Sequence, residues 1–301
     1  MSGTVSSTIV VGVDGSPESV VATWWAAAEA RRRRADLVVL AAVRPYAAGL
    51  PGVALTGEHD DHWPDAGRRL VDTVTQRLRH GFPDLRITGA GQERDPRTAL
   101  VDASWSAVMT VVGKRGSGRL PDVLTGWVAL YVASRGRSPV AVIPGDPEPS
   151  SGPVLVGVDP LGTSQAAIDL AFDEATLRRA ELVAVLAGDP VVAHQGFARR
   201  PVRPSPVQIQ EDQAVLSEQL SGWSEKYPDV TVHQLLLNGR PAVCLARFAD
   251  LTGCDRPQLT VVGTRGPGSL AGLVLGSTSH DLIASATGPV LVVPTRDDHL
   301  G

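Results

Sequence analysis

The sequence predicts an α/β protein made of two tandem five-stranded, mainly parallel sheets with helices on both faces. Three observations carry this. Short continuous apolar runs such as Ile9–Val13 (IVVGV) have the composition of strands buried on both faces. They alternate with longer stretches of helical period, the pattern of parallel sheets joined by helical crossovers. The whole series then occurs twice in 301 residues, a length comfortable for two domains of about 150 residues each. The two are divided in Gly145–Gly152 (GDPEPSSG), which can continue neither a helix nor a strand, giving domains 1–147 and 148–301.

Taken in order, Met1–Thr8 is a polar lead and Ile9–Val13 the first strand, ending in Asp14-Gly15-Ser16-Pro17. Ser16 before Pro17 is a helix N-cap with proline in the first turn, and the helix continues through Ala22, Ala26 and Glu29. Arg31–Arg34 closes it. Cations favour helix C-termini, and Arg178-Arg179 holds the same place in the second half, so this run reads as a helix end rather than a nucleic-acid or lipid patch. Leu37–Val43 is the second strand, Arg44–Asp65 a long loop, and Ala66–Arg79 an amphipathic helix with Leu70, Val71, Val74 and Leu78 on one face. A strand over Leu85–Ala90, a helix over Arg97–Trp105 and strands at Val108–Val112 and Pro139–Ile143 complete the half. Within the long loop, His59-Asp60-Asp61-His62 offers four potential ligands, but adjacent residues seldom converge on one ion, so a solvated loop is expected and no metal site.

The second half repeats this with strands at Val154–Val158, Leu182–Ala187 and Val230–Leu237. Its helices are expected over Thr163–Arg179, through Val215, Leu216, Leu220 and Trp223, and from Pro241. Early positions are offset by 145 (Asp14 to Asp159, Pro96 to Pro241) and later ones by 150, which places a small insertion near Leu251–Pro257.

Each half ends on a glycine block: VVGKRGSGRLPDVLTGW in the first and VVGTRGPGSLAGLVLGS in the second. Gly113, Gly116 and Gly126 pair with Gly263, Gly266 and Gly276, each 150 residues apart. Glycines between a strand and a helix let backbone N–H groups turn outward, and the following helix N-terminus adds its orphan donors, a combination that suits phosphate. Ser277 and Thr278 place hydroxyls where a phosphate oxygen or a helix cap would use them. The first half carries Trp127 in place of Ser277. Two readings stay open for it, an indole at the mouth of the site or one packed into the core. Loss of a hydroxyl donor alone costs about 1 kcal/mol. Lys114, Arg115 and Arg265, between the glycines, are either phosphate neighbours or ordinary exposed loop cations. Asp14 and Asp159, after the first strand of each half, are either helix-capping residues or ligand contacts; their recurrence beside the glycine blocks favours the second.

Composition limits the partners. Formal net charge is -4 with 20% charged residues, which gives no electrostatic footprint for nucleic acid or an acidic membrane. Two cysteines, Cys244 and Cys254, form no zinc spacing or disulfide framework, as expected in a reducing cytoplasm. Neither a secretory leader nor an apolar run of about 18 residues is visible, so a cytoplasmic location is expected.

These motifs resemble the universal stress protein family. The likeness covers nearly the whole chain: VGVDGS and VGVDP after the first strands, G-x-x-G-x(9)-G before the last helices with serine after the final glycine in the second half, and SPVAVIP and GPVLVVP at the ends. The tandem arrangement resembles two-domain actinobacterial members. The resemblance implies strand order 3-2-1-4-5 and, in its ATP-binding branch, one nucleotide per domain, with Mg. Carried over by position, Asp159 would contact ribose or base and the backbone of Ala187 the adenine. Gly263 and Gly266 would face ribose and phosphates, and Gly276, Ser277 and Thr278 would hold the phosphates. The first-half set is Asp14, Gly113, Gly116 and Gly126. The resemblance also implies pairing of the halves through Ser138–Pro144 and Gly288–Thr295, and a homodimer is a further expectation.

Three function classes follow. An ATP-binding regulatory stress protein, with a working site in the second half and a weakened one in the first, is favoured. An enzyme would need a Walker loop or a general base beside the glycine block, and the sequence offers neither, although positioning alone allows slow ATP hydrolysis. A nucleotide-free interaction scaffold is the third, suggested by Trp127 and opposed by Gly276-Ser277.

Overall fold

A computed structural model of the chain describes residues 7–43, 63–114, 127–145, 151–188, 205–264 and 275–295. It divides into two units, Met1–Gly145 and Asp146–Gly301. The first unit runs β1 (Thr8–Gly12), α1 (Pro17–Arg33), β2 (Asp36–Ala42), α2 (Trp63–Gly81), β3 (Ile87–Gln92), α3 (Pro96–Ala103), β4 (Met109–Gly113), α4 (Trp127–Arg135) and β5 (Val140–Ile143). The second runs β6 (Val154–Val158), α5 (Gln165–Arg178), β7 (Leu182–Gly188), α6 (Pro206–Gln219), α7 (Trp223–Lys226) and β8 (Val232–Asn238). It continues with α8 (Pro241–Ala246), α9 (Phe248–Thr252), β9 (Leu259–Gly263), α10 (Ser277–Ser285) and β10 (Val290–Val293).

Strand order is β3-β2-β1-β4-β5 in the first unit and β8-β7-β6-β9-β10 in the second, the 3-2-1-4-5 order that the family resemblance implies. Pairing within each unit is parallel, with Ile9 opposite both Leu37 and Met109, and Val154 opposite both Leu182 and Leu259. Right-handed crossovers that first step outward and then return put α1 and α2 on one face and α3 and α4 on the other. The order in which strands are added to the sheet reverses between β1 and β4, and between β6 and β9, so the crevice past their carboxyl ends is the natural ligand position. The buried strands explain their composition: Ile9, Val11, Leu155 and Val156 are fully inaccessible, as are Phe172 and Ala171 of the helix above β6.

Local chemistry sets most helix ends. Ser16 caps α1, its Oγ accepting from the Ser19 amide at 3.2 Å. Arg34 and Arg179 close α1 and α5 in the left-handed conformation, at φ 55° and 52°. The arginine run is a helix end, as expected, but it also serves a buried charge. Glu29 is 0% exposed and receives Arg32 at 2.6 Å and Arg33 at 2.8 Å. Its repeat counterpart Glu174 is equally buried and receives Arg178 at 3.1 Å.

Several boundaries shift: α2 starts at Trp63, inside the stretch expected as loop, and α3 ends at Ala103 rather than Trp105. β3 starts at Ile87 rather than Leu85, because Leu85 is still in a turn, its amide donating to the Phe82 carbonyl; β8 likewise starts at Val232. The helix expected to continue through Trp223 ends at Gln219, since Gly222 is left-handed (φ 82°) and Trp223 opens α7. The helix from Pro241 breaks at Arg247, and the chain continues as α9, whose end at Gly253 (φ 72°) reaches into the insertion. Gly253 lies in the stretch that changes the repeat offset from 145 to 150.

Candidate functional site

The site is built where the carboxyl ends of the central strands meet the N-terminus of the last helix. In the second unit β9 ends at Gly263, and the Thr264 amide donates to the Val293 carbonyl at 2.9 Å, which holds the start of the loop on β10. The far end of the loop returns to the same place: the Gly276 amide donates to the Thr264 carbonyl at 2.7 Å, and the Ser279 hydroxyl donates to the Gly263 carbonyl at 2.5 Å. Gly263, Gly276, Ser277 and Thr278 are thereby brought together. Gly276 caps α10 at φ -59° and ψ 149°. Any residue adopts that conformation, so the backbone does not require glycine there; with no side chain, Gly276 itself places nothing over the first-turn N–H groups. Among the described residues no side chain caps this helix, and Ser277 is exposed while Thr278 is half-buried.

In the first unit the matching turn is Trp127-Val128-Ala129, against Ser277-Thr278-Ser279. The difference is therefore a whole row of hydroxyls, not one residue. Trp127 is 56% exposed, so of the two readings open for it, packing into the core does not hold. Gly113 also has a plain packing reason. A Cβ there would stand 2.9 Å from the Glu18 carbonyl carbon and 3.0 Å from the Ser19 nitrogen, so glycine lets the first turn of α1 sit on the end of β4. Gly116, Gly126 and Gly266 lie outside the described residues, as do Arg115, Arg265 and the His59–His62 cluster.

Both aspartates stand past the ends of the central strands, and both have structural work. The Asp14 amide donates to Ser19 Oγ at 3.3 Å and the Asp159 amide to Ser164 Oγ at 2.9 Å, the same contact in each repeat. Asp14 Oδ1 accepts from the amide and hydroxyl of Ser16 at 3.0 and 2.6 Å, bracing the α1 cap. Asp159 accepts from the Leu161 amide, Thr163 Oγ1 and Ser164 Oγ at 2.8, 2.6 and 2.7 Å. From the opposite side, Gln219 Nε2 donates to the Asp159 carbonyl at 3.3 Å and Gln219 Oε1 accepts from Gln165. Ala187 is half-buried near the end of β7, one residue past the Leu186 that pairs with Val158. The fold thus puts Asp159, Ala187 and Gly263 at the ends of three adjacent strands. Sequence reasoning missed Ser279, Thr163 and Ser164; the hydroxyl runs Ser277-Thr278-Ser279 and Thr163-Ser164 are the signals that mark them.

The universal stress protein family matches residues 6–144 and 151–294, one copy in each unit. The chain belongs to the universal stress protein family. It is 36% identical over 300 residues to universal stress protein Rv2623 of Mycobacterium tuberculosis, covering 97% of each chain. Universal stress protein Rv2005c of the same organism is 36% identical over 293 residues, covering 94% of this chain and 96% of that one. A solved universal stress protein from Archaeoglobus fulgidus shares the fold at a TM-score of 0.67 and 19% identity, over 97% of both chains. The relatives match through both units, so the tandem family architecture is a property of the full chain.

Proposed function

We propose that this universal stress protein is a nucleotide-binding regulator that holds ATP in its second unit and binds it weakly or not at all in its first. The contrast between the two copies of one helix start carries the reading. Ser277-Thr278-Ser279 follows an N-terminus that no side chain of the described residues caps and that opens on a bare glycine, while the equivalent turn of the first unit offers an exposed indole and no hydroxyl. The donor set fits a polyphosphate: orphan amides, two accessible hydroxyls and a helix dipole, all favouring an anion. In this reading Gly263, Gly266, Gly276, Ser277 and Thr278 hold ribose and phosphates, and the backbone of Ala187 meets the base. Asp159 keeps its loop in shape and turns an edge toward the ribose. Mg, when bound with ATP, would be held chiefly by phosphate oxygens and would offset their charge.

Binding rather than turnover is the expected use, since the site supplies no general base within the glycine junction. The occupied and empty proteins then differ in the surface around α10, and a ligand that prefers one state shifts the population. Equilibrium dialysis of the full chain against labelled Mg-ATP, paired with release of phosphate over hours, is the test. About one ATP bound per chain with no turnover fits. Absence of binding leaves an interaction scaffold, and steady multiple turnover makes the protein an enzyme.

A further inference from the structure

The first unit carries a surface that its repeat counterpart lacks. Along α4, Trp127, Tyr131 and Arg135 recur every four residues and so share one face. Beside them stand Arg97 of α3 and Trp105 just past its end. The Arg97 and Arg135 guanidinium carbons lie 5.1 and 4.6 Å from the Tyr131 ring centroid, and that of Arg137 lies 4.5 Å from the Trp105 ring. Trp105 is 67% exposed and Trp127 56%. The backbone beneath is fixed, because the Arg137 amide donates at 2.9 Å to Ser104 Oγ, and Ser104 is buried.

Folding does not account for this face. At the equivalent positions the second unit has Asp250 for Trp105, Ser277 for Trp127, Asp281 for Tyr131, Ser285 for Arg135 and Thr287 for Arg137. The same architecture therefore stands without a single aromatic or arginine at these five places. Two widely exposed tryptophans oppose solvation, and Trp, Tyr and Arg are the residues that dominate the energetics of protein interfaces.

We propose that the α3–α4 face of the first unit is a docking surface for an acidic protein segment. Among the described residues Arg135 and Arg137 have no carboxylate partner. Stacking on a ring holds a guanidinium in place with its N–H edge still able to take a carboxylate in bidentate fashion; Arg135 Nη1 donates to Tyr131 Oη at 3.3 Å, which leaves its other N–H groups for that contact. Cations already ordered in this way lose little freedom on binding. A nucleic-acid strand fits less well, because guanidinium groups occupy faces of Trp105 and Tyr131 that bases would stack on. This surface is independent of the ATP reading and stands if that reading fails.

The test uses the full chain and a fluorescein-labelled oligo-glutamate of about ten residues, followed by anisotropy at low and moderate salt, with oligo-lysine and oligo-dT of equal length as comparisons. Oligo-glutamate should bind, weaken with salt, and bind about tenfold more weakly to the Arg135→Glu/Arg137→Glu variant. Arg77→Glu, which removes an exposed arginine from α2, should leave binding unchanged. Equal melting temperatures establish that the variants are folded. No binding of oligo-glutamate, or equal binding by the double variant, overturns the proposal. So does tighter binding of oligo-dT through the same arginines, which assigns the face to nucleic acid.

Discussion

The hydroxyl of Ser279, buried in the first turn of α10, donates to the carbonyl of Gly263 at the end of β9. This contact, beside the Gly276 amide's bond to the Thr264 carbonyl, ties the two ends of the glycine loop together, and the first unit has Ala129 at the equivalent position. Replacing Ser279 by alanine should therefore leave the fold intact and cost about 1 kcal/mol of stability. ATP affinity should fall with it, because the first-turn amides lose their fixed position. Urea unfolding and ATP titration of the same variant check both parts.

If the hydroxyl row is what separates the two units, rebuilding it should recover a site. Trp127→Ser alone removes the indole and restores one donor. Trp127→Ser with Val128→Thr and Ala129→Ser restores the full turn and should bind more nucleotide per chain than the single variant. Stoichiometry measured at saturating Mg-ATP distinguishes them; equal values would show that the block lies elsewhere in the first unit.

Gly113 is expected to respond as a packing residue. Alanine there places a methyl against the α1 backbone and should destabilise the protein by about 2 kcal/mol. The loss should be the same with and without ATP. A melting temperature that moves only in the presence of nucleotide would instead assign Gly113 to ligand contact.

The buried carboxylates give a comparison within one chain. Glu174→Gln removes the charge that Arg178, only 4% exposed, meets at 3.1 Å, whereas Arg32 and Arg33 facing Glu29 are 33% and 17% exposed. Breaking a buried pair costs about 3 kcal/mol. Glu174→Gln should therefore approach that figure and Glu29→Gln should cost less, because water reaches its arginines. Denaturant midpoints of the two variants decide the order.

Alkaline stability should depend on α7. Hydrogen bonding to Asp169, then to Tyr227, pushes Lys226 up to about 12 from its ordinary 10.5. Burial, then its hydrogen bond to Asp173, raises Tyr227 from its ordinary 10.0. Both groups hold their protons more tightly when folded, so their contribution is complete below about pH 10 and is lost as pH rises toward 12. Tyr227→Phe and Lys226→Met should flatten the fall in melting temperature over that window relative to the parent.

The sheets were legible because a strand buried on both faces leaves a short apolar run, and a duplicated chain shows each run twice. Strand order was not readable from the residues; it came through the family likeness. Boundaries failed where conformation overrode pattern, as at Gly222, whose left-handed backbone separates Trp223 from the helix that its spacing extends. The glycine junction could be read from spacing alone, but Gly113 and Gly263 look identical in sequence, and only the backbone of α1 pressed on Gly113 reveals its packing role. Asp159 shows the same limit. An acid after a strand is ambiguous in sequence, and its three hydrogen bonds depend on how Leu161, Thr163 and Ser164 fold back on it. The stacked arginines of the α3–α4 face are invisible to spacing because Trp105 and Arg137 meet only across two helices.

The most direct measurement is to denature freshly purified protein, identify any released nucleotide by mass and count moles per chain, with Gly276→Ala and Trp127→Ser variants alongside. About one ATP per chain in the parent, less in Gly276→Ala and a rise toward two in Trp127→Ser, is the predicted result. No nucleotide in any of the three proteins, together with no thermal stabilisation by added Mg-ATP, would contradict the claim that the second unit is an ATP site.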